Sequence, residues 1–330
     1  MSRRVLVVRP DNAGDVLLAG PAIRAVAARA EVALLTGPHG TAAARLLPGV
    51  GRVIEWLTPW IDPEPPRVTR RHVEALLRQV AGLDEAIILT SFHQSALPAA
   101  LLLRLAGVGR ITAISNDYPG SLLDVRVTWD ETRHVPEPER MLAVVRAAGY
   151  EPVDDGRLAV RRPLPPFEVP AEPYVVVHPG VSVPARAWPR ELHRQAVEAL
   201  AADGHRVVVT GGPGERELTA YVAGRAGVDL GGRTSLAELA TVLERAVALV
   251  AGNTGPAHLA AAVWTPVVSL FAPVVPAERW APYGVPAVLL GDQHAPCAGS
   301  RARRCPVDGH PCLTTVRPDD VVKAIRELSS

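Results

Sequence analysis

Short apolar runs alternate with amphipathic stretches along the first half of the chain. Runs such as Val5-Leu6-Val7-Val8 are typical of buried strands, and the stretches between them carry apolar residues at helical spacing. The pattern predicts strands at 5–8, 31–35, 52–56, 85–89 and 110–114, and helices at 16–30, 68–80, 95–105 and 137–148. Strands that alternate with helices in this way predict an α/β fold with a doubly wound parallel sheet.

A stretch rich in Pro, Asp and Arg interrupts the alternation. It runs from Glu151 to Pro166 and has no amphipathic period, which is typical of a linker. We therefore predict a first domain at 1–155, a linker at 156–170 and a second domain at 171–330.

The alternation restarts after the linker. It predicts strands at 174–177, 206–210, 247–250 and 267–271, and helices at 189–202, 215–226, 236–245 and 318–328. The chain is therefore expected to form two Rossmann-like domains that face each other across a cleft, with a C-terminal helix able to pack back on the first domain. Ligands bind beyond the carboxyl ends of the strands in such sheets, so the cleft is the expected site.

The turn Gly252-Asn253-Thr254-Gly255-Pro256-Ala257-His258 lies between an apolar run and an alanine-rich run, and it predicts a strand, a polar turn and a helix start. Thr254 or Asn253 can cap that helix, while Gly255 allows close approach of a ligand. Pro256 suits the first helical turn. The exposed N–H groups and the helix dipole would bind an anion such as a phosphate, although an ordinary capped helix fits the same residues.

Two other turns of the second half also follow predicted strands. After His178-Pro179-Gly180-Val181-Ser182, the side chain of Arg186 could bind a diphosphate bidentately, or it could be an ordinary surface arginine. After Thr210-Gly211-Gly212, Glu215 either complements a helix dipole or accepts hydrogen bonds from a sugar.

The first predicted strand ends in Arg9-Pro10-Asp11-Asn12-Ala13-Gly14-Asp15. Gly14 permits a tight turn there. Asp15 either caps the following helix or projects a carboxylate that can take a proton from a hydroxyl. The spacing is not GxGxxG, so a dinucleotide fingerprint is absent.

Composition narrows the class of protein. Hydrophobic residues make up 48% of the chain and charged residues 21%, which is typical of a folded globular protein. The net charge of +1 indicates neither a nucleic-acid nor a membrane-surface partner. Lys323 is the only lysine among 35 basic residues, so a single arginine is weak evidence of a site. Neither a signal segment nor a spanning apolar run is found, and a cytoplasmic location is expected.

The three cysteines, Cys297, Cys305 and Cys312, lie close together in the sequence. An odd number of cysteines in a chain without a signal segment indicates reduced thiols. No CxxC pair is present, so packed thiols are favoured over a zinc site, and no metal or cofactor is expected.

Three ordered motifs carry a family resemblance. They are Val5-Leu6-Val7-Val8-Arg9-Pro10 with Gly14-Asp15-Val16-Leu17, His178-Pro179-Gly180 with Arg186-Ala187-Trp188-Pro189, and Asn253-Thr254-Gly255-Pro256-Ala257-His258-Leu259-Ala260-Ala261. Together with the cysteine-containing tail, they resemble the bacterial heptosyltransferase family, glycosyltransferase family 9. The resemblance implies the GT-B fold and transfer of a sugar, heptose in that family, from a nucleotide-sugar such as ADP-heptose. The implied acceptor is a cell-envelope glycan, a glycolipid or a small molecule, with peripheral contact to the inner face of the membrane where the acceptor is lipid-linked.

Carried over by residue, the resemblance implies a site whose catalytic base is Asp15. It implies donor contacts from Gly180, Val181, Ser182, Arg186, Glu215, Thr234, Asn253, Thr254, Gly255, Pro256 and His258, and an acceptor side that includes Arg9, Asn12 and Gly14. Arg186 stands where the family has Lys, and Asn253 stands where it has Asp. Both substitutions are compatible with phosphate binding, and both leave open a donor other than ADP-heptose.

The implied reaction is inverting and metal-independent, with the nucleotide-sugar as a substrate. Asp15 would deprotonate the acceptor hydroxyl, while Arg186 and the N–H groups of the 253–256 turn would stabilise the leaving diphosphate. A nucleotide-sugar epimerase and a catalytically idle nucleotide-sugar-binding protein are the alternatives. On the acceptor side, Thr58-Pro59-Trp60 and Ser91-Phe92-His93-Gln94 either contact a sugar or pack at the domain surface.

Overall fold

The computed structural model describes residues 2–62 and 64–329, and the chain divides into two compact units. The first unit ends at Arg161 and the second begins at Arg162, inside the predicted linker. The first unit extends beyond residue 155 because apolar side chains of the linker pack onto it. Leu158 and Val160 are buried, and the backbone N–H of Arg161 donates to the carbonyl oxygen of Leu46 at 2.7 Å.

The first unit contains a parallel sheet with the strand order β3-β2-β1-β4-β5-β6. Its strands are β1 (Arg4–Val8), β2 (Glu31–Thr36), β3 (Val50–Glu55), β4 (Glu85–Ile88), β5 (Arg110–Ile114) and β6 (Val125–Val127). Its helices are α1 (Ala13–Leu18), α2 (Gly20–Ala27), α3 (Thr41–Leu46), α4 (Arg70–Val80), α5 (Leu97–Leu105) and α6 (Glu137–Ala147), with 3-10 helices at Pro38–Gly40 and Gly120–Leu122.

The second unit repeats this plan with the strand order β12-β11-β10-β7-β8-β9. Its strands are β7 (Tyr174–His178), β8 (Arg206–Val209), β9 (Gly227–Asp229), β10 (Ala248–Gly252), β11 (Val267–Leu270) and β12 (Ala287–Leu290). Its helices are α7 (Arg190–Ala202), α8 (Arg216–Ala223), α9 (Leu236–Glu244), α10 (Gly255–Ala262), α11 (Ala277–Trp280), α12 (Pro311–Thr314) and α13 (Pro318–Ser329), with 3-10 helices at Pro184–Arg186 and Pro213–Glu215. The C-terminal helix α13 packs against α7 of the same unit.

Each sheet reverses its strand order next to its first strand. In the first unit β1 lies between β2 and β4, and in the second unit β7 lies between β8 and β10. The turns after β1 and β4, and those after β7 and β10, therefore start side by side at the carboxyl edge of a parallel sheet. This is the point at which doubly wound sheets bind ligands.

Several predicted elements differ in extent from the structure. The helix predicted at 16–30 is two helices, α1 and α2, which meet at Ala19. Pro21 explains the break because it lacks an N–H and its ring crowds the carbonyl four residues earlier. The apolar pattern does not predict α3, β6, β9, β12 or the four-residue helices α11 and α12. The strands β6 and β9 have three residues each, lie at sheet edges and are partly exposed, so they lack a continuous apolar run.

None of the helices in the described part of the chain has both the length and the hydropathy that crossing a lipid bilayer requires.

Candidate active site

The turn after β1 presents the carboxylate of Asp15. Helix α1 begins at Ala13 with Asn12 as its N-cap residue, so the alternative that Asp15 caps the helix is wrong. Asp15 instead lies in the first helical turn, and its Oδ1 accepts a hydrogen bond from Nη2 of Arg9 at 3.0 Å. Its side chain remains 25% exposed, whereas Gly14 beside it is buried. The carboxylate is therefore both fixed in place and accessible to a hydroxyl.

Arg9 lies beneath this turn with no exposed side-chain surface. Besides its bond to Asp15, Nη2 donates to Oγ of Ser91 at 3.1 Å and Nη1 donates to the carbonyl oxygen of Leu89 at 3.3 Å. Burial alone would lower the pKa of Arg9, but the charges of Asp11, Asp15 and Glu137 raise it above its ordinary value. Arg9 is thus permanently charged and supports the turn, but its side chain has no exposed surface that a ligand could contact.

A second carboxylate, that of Asp11, shares the same guanidinium, and no sequence pattern predicts a role for it. Its Oδ2 lies 3.3 Å from Nε of Arg9, and its Oδ1 accepts a hydrogen bond from Nε2 of Gln94 at 2.6 Å. Burial, together with the charge of Asp15, raises the pKa of Asp11 above its ordinary value. Ser91 and Gln94, which the sequence placed in an acceptor loop, therefore belong to a polar network under Asp15.

The aromatic loop 58–60 borders a small apolar pocket in the first unit, with an internal volume of about 20 Å³. Trp60 is half-buried and packs against Trp56, with ring centroids 5.7 Å apart. Pro10 lines the same pocket, which places it next to the turn that carries Asp15. This volume holds little more than one water molecule, so the partly exposed ring of Trp60 at its border, and not the interior of the pocket, is the surface that an acceptor can contact.

In the second unit, Arg186 connects two of the predicted turns. It ends the 3-10 helix Pro184–Arg186 after β7, and its Nη1 donates to the carbonyl oxygen of Asn253 at 3.2 Å. The cysteine-containing tail supports this helix. The N–H of Ala185 donates to the carbonyl oxygen of Arg303 at 3.0 Å, and Nε2 of His310 lies 3.1 Å from the carbonyl oxygen of Ala185. The guanidinium is therefore positioned beside the start of α10.

Glu215 lies against Gly180 at the carboxyl ends of β7 and β8. Its Oε2 accepts a hydrogen bond from the N–H of Gly212 at 2.6 Å, and a Cβ at position 180 would overlap its carboxylate. Nε2 of His178 lies 3.9 Å from the same oxygen. Burial lowers the pKa of His178 even though Glu215 acts in the opposite direction, so the imidazole is neutral near pH 7. Glycine at 180 is thus required by this close approach.

The turn after β10 leads into α10 as the sequence predicts, with Thr254 as the N-cap residue and Pro256 in the first turn. Capping by a side chain is not seen: neither Thr254 nor Asn253 bonds the helix N–H groups. The amide of Asn253 is 4% exposed, and neither its Oδ1 nor its Nδ2 has a hydrogen-bond partner among the described residues. His258 is buried in the first turn of α10, and Gly255 is half-buried.

The remaining predicted donor residues lie in loops at the same edge of the sheet. Val181 is half-buried and Ser182 is exposed after β7. Thr234 is half-buried just before Ser235, the N-cap residue of α9. Its loop is tied to the turn after β8, because the N–H of Gly232 donates to the carbonyl oxygen of Gly211 at 2.8 Å. These residues therefore follow strands of the same parallel sheet as Glu215 and Arg186 do.

The three cysteines lie together as free thiols, with Cys297 and Cys312 buried. Burial, together with the neighbouring Cys297 and Cys305, raises the pKa of Cys312 to about 11. Within residues 2–62 and 64–329, no three His, Cys, Asp or Glu side chains are grouped so as to hold a metal ion. The thiols pack inside the tail that supports Arg186.

Comparison with known proteins identifies the family of the chain. Residues 81–310 match the profile of glycosyltransferase family 9 (heptosyltransferase). The chain is 28% identical over 337 residues to lipopolysaccharide heptosyltransferase 1 of Pseudomonas aeruginosa, an alignment that covers 92% of this chain and 87% of the relative.

Two solved structures share the fold. The first is glycosyl transferase family 9 of Veillonella parvula, with a TM-score of 0.77, 17% identity, and coverage of 99% of this chain and 97% of that one. The second is E. coli heptosyltransferase WaaC with ADP-2-deoxy-2-fluoro heptose, with a TM-score of 0.74, 21% identity, and coverage of 98% and 99%. The predicted GT-B fold is confirmed, and the family match favours a transferase over the epimerase and the idle binding protein. The chain belongs to glycosyltransferase family 9, and it is a glycosyltransferase.

Proposed function

We propose that the enzyme transfers heptose from ADP-heptose to a hydroxyl of a lipopolysaccharide-type acceptor, at the inner face of the cell membrane. Three features support the donor: the family match, the similarity to lipopolysaccharide heptosyltransferase 1 of Pseudomonas aeruginosa, and the fold shared with a heptosyltransferase solved with an ADP-heptose analogue. The second unit binds the donor through Gly180, Val181, Ser182, Arg186, Glu215, Thr234, Asn253, Thr254, Gly255, Pro256 and His258.

The observation that carries this proposal is the buried amide of Asn253 beside Arg186. A buried amide whose donor and acceptor both lack protein partners is costly unless a ligand or water satisfies them. The start of α10 and the guanidinium of Arg186 add positive charge at the same place. A sugar diphosphate carries hydrogen-bond donors, acceptors and a negative charge. It can therefore satisfy the Asn253 amide, the start of α10 and the guanidinium of Arg186 together.

Asp15 acts as the general base. As the acceptor oxygen attacks the anomeric carbon from the face opposite the diphosphate, its proton passes to the carboxylate of Asp15. The bond between the anomeric carbon and the phosphate oxygen breaks, and the nucleoside diphosphate leaves with the electron pair. The product sugar therefore has the inverted anomeric configuration. Arg9 and Gly14 hold the turn that carries this base, and Asn12 lies exposed beside it, where an acceptor can reach.

Negative charge develops on the leaving diphosphate during this step. Arg186 and the N–H groups at the start of α10 stabilise that charge, in the way that an oxyanion hole stabilises a tetrahedral intermediate. We propose that these groups replace a metal ion, so activity should persist after treatment with a chelator.

The donor is tested by incubating the purified enzyme and a deacylated lipopolysaccharide acceptor with ADP-heptose and, separately, with UDP-sugars. Heptose transfer from ADP-heptose, with an inverted anomeric configuration in the NMR spectrum of the product, is expected. Arg186 and Asn253 stand where the family has Lys and Asp, which leaves another donor open. Efficient transfer from another nucleotide-sugar would contradict the proposal that heptose is the transferred sugar. Epimerised donor in the absence of acceptor would contradict transfer altogether.

The role of Asp15 is tested in the same assay. Asp15→Asn keeps the size of the side chain and removes the base, so turnover should fall by roughly 10²–10⁴-fold with little change in donor affinity. Near-normal turnover of this variant would remove Asp15 from the role.

A further inference from the structure

Two carboxylates share one buried guanidinium in the first unit. Asp11 lies on the Nε side of Arg9 at 3.3 Å, and Asp15 lies on the Nη2 side at 3.0 Å. Their accessibilities differ: the side chain of Asp11 is 9% exposed, and that of Asp15 is 25% exposed. Only Asp15 is therefore well placed to meet a hydroxyl, and Asp11 lies behind it.

An isolated pair of Asp15 and Arg9 would form a weak base. A cation at hydrogen-bond distance stabilises the ionised carboxylate and lowers its affinity for a proton. Proton abstraction is most effective when the base has a pKa near the working pH. A second anion on the same guanidinium counteracts this effect, because it offsets the charge of Arg9 and repels the charge of Asp15.

We propose that Asp11 is a positioning residue of this enzyme, which holds Arg9 from behind and keeps Asp15 a stronger base than a one-to-one ion pair would allow. This inference rests on the proposed role of Asp15 as the general base.

The loop after β4 fixes Asp11 in this position. Nε2 of Gln94 donates to Oδ1 of Asp11 at 2.6 Å, and Oε1 of Gln94 accepts from the N–H of Ser91 at 2.9 Å. Oγ of Ser91 in turn accepts from Arg9, which closes the network. The backbone of Asp11 is also enclosed, since a Cβ at Gly40 would lie 2.8 Å from its carbonyl oxygen. The carboxylate therefore has little freedom to turn away from Arg9.

The surrounding charges agree with this role. Burial and the charge of Asp15 raise the pKa of Asp11, while the charge of Arg9 acts in the opposite direction. The charge of Glu137, on α6, raises the pKa of Arg9. Glu137 also lies 3.9 Å from Arg140, and Nη2 of Arg140 lies 2.6 Å from the carboxylate of Glu131. The neighbouring residues Ser91 and Gln94 carry no charge, and His39, on the 3-10 helix that covers Asp11, is exposed.

Asp11→Asn tests the inference through the pH dependence of kcat/KM. Removal of the charge should move the acidic limb of the profile to lower pH by about one unit and lower the maximal rate severalfold, with the donor KM unchanged. Asp117→Asn removes the same charge from an exposed position of the same unit, and its profile should match that of the unmodified enzyme.

Carbodiimide coupling of an amine to Asp15, followed by mass spectrometry over a pH series, supplies a readout that needs no substrate. Coupling follows the protonated fraction of the carboxyl group, so its midpoint should shift to lower pH in Asp11→Asn. Gln94→Leu keeps the charge of Asp11 but removes the hydrogen bond that holds it against Arg9, so the midpoint should shift in the same direction by a smaller amount. This second variant tests the inference even if Asp11→Asn does not fold.

The outcomes separate this inference from the proposed function. Unchanged midpoints in both variants, with Asp15→Asn inactive, would overturn the inference and leave the role of Asp15 intact. Full activity of Asp15→Asn would overturn the proposed base and the inference together. If Asp11→Asn were inactive and Asp15→Asn active, Asp11 would be the general base, and this result would also overturn the inference.

Discussion

Arg186 and Asn253 are joined by a hydrogen bond from the guanidinium of one to the carbonyl oxygen of the other, 3.2 Å apart. This bond connects the loop after β7 to the turn after β10, across adjacent strands of the second sheet. The guanidinium and its positive charge are therefore held at the start of α10.

Arg186→Ala should weaken donor binding and slow the chemical step. Hydrogen bonds to charged groups contribute about 1.5–3 kcal/mol, so kcat/KM should fall by roughly 10–100-fold. Arg186→Lys keeps the charge but loses the planar fork, so its kcat/KM should lie between that of the unmodified enzyme and that of Arg186→Ala. The exposed Arg190, which pairs with Glu191, provides the control variant Arg190→Ala. Equal kcat/KM in Arg186→Ala and Arg190→Ala would contradict the role of Arg186.

Asn253→Ala should separate ligand binding from stability. Because the amide of Asn253 bonds to none of the other described residues, the Tm of the free protein should change little in this variant. The rise in Tm caused by ADP-heptose should shrink, because a lost hydrogen bond raises the Kd by roughly tenfold.

Asn116→Ala is the matched control. Its amide accepts from the N–H of Trp129 and donates to the carbonyl oxygen of the same residue, so its removal should lower the Tm of the free protein and leave the effect of ADP-heptose unchanged. The same ligand-induced shift in both variants would argue against ligand contact by Asn253.

Gly180→Ala should destabilise the donor loop through one neighbour. The added methyl group displaces the carboxylate of Glu215, which then loses its hydrogen bond to the N–H of Gly212, at a cost of about 1–2 kcal/mol. In a Glu215→Ala background the same change should cost much less. Gly214→Ala is the control, because its new Cβ meets nothing within 4 Å. Chemical denaturation measures all four variants, and additive effects of the two changes would contradict this coupling.

The donor-side turns could be predicted from the sequence because each directly follows a continuous apolar run, and local patterns identify where such a strand ends. Asp11 and Gln94 could not be paired in this way. They are 83 residues apart and meet only because β1 and β4 are neighbours in the sheet. The structure was also needed to exclude Asp15 as the cap. Helix α1 starts at Ala13 and not at the predicted residue 16, and this shift of three residues moves the N-cap position from Asp15 to Asn12.

Trp60→Ala should act on the acceptor and leave the donor unaffected. Trp60 borders the apolar pocket next to the Asp15 turn, and loss of its ring should raise the KM for the acceptor by roughly tenfold with the donor KM unchanged. Tyr118→Ala removes an aromatic ring that is 86% exposed and should change neither KM. If Trp60→Ala raised the donor KM and left the acceptor KM unchanged, the acceptor would not bind against Trp60.

His193 should make the free energy of unfolding depend on pH below neutrality. Its ring packs edge-on against Trp188, with centroids 4.8 Å apart, and burial together with the nearby His178 lowers its pKa to about 3. The unfolded chain binds a proton at this position near pH 6.5, and the folded protein does not. The stability is therefore fully present above pH 6.5 and is lost progressively as the pH falls toward 3.

His193→Phe keeps an aromatic ring and removes the titration. As the pH falls from 6 to 4, the free energy of unfolding should decline less steeply in this variant than in the unmodified protein. The two slopes should differ by about 1.4 kcal/mol per pH unit. His294→Phe alters an exposed imidazole and should leave the slope as it is in the unmodified protein. Urea denaturation at several pH values measures the slopes. If His193→Phe and the unmodified protein lost stability at the same rate on acidification, the neutral buried state of His193 would be disproved.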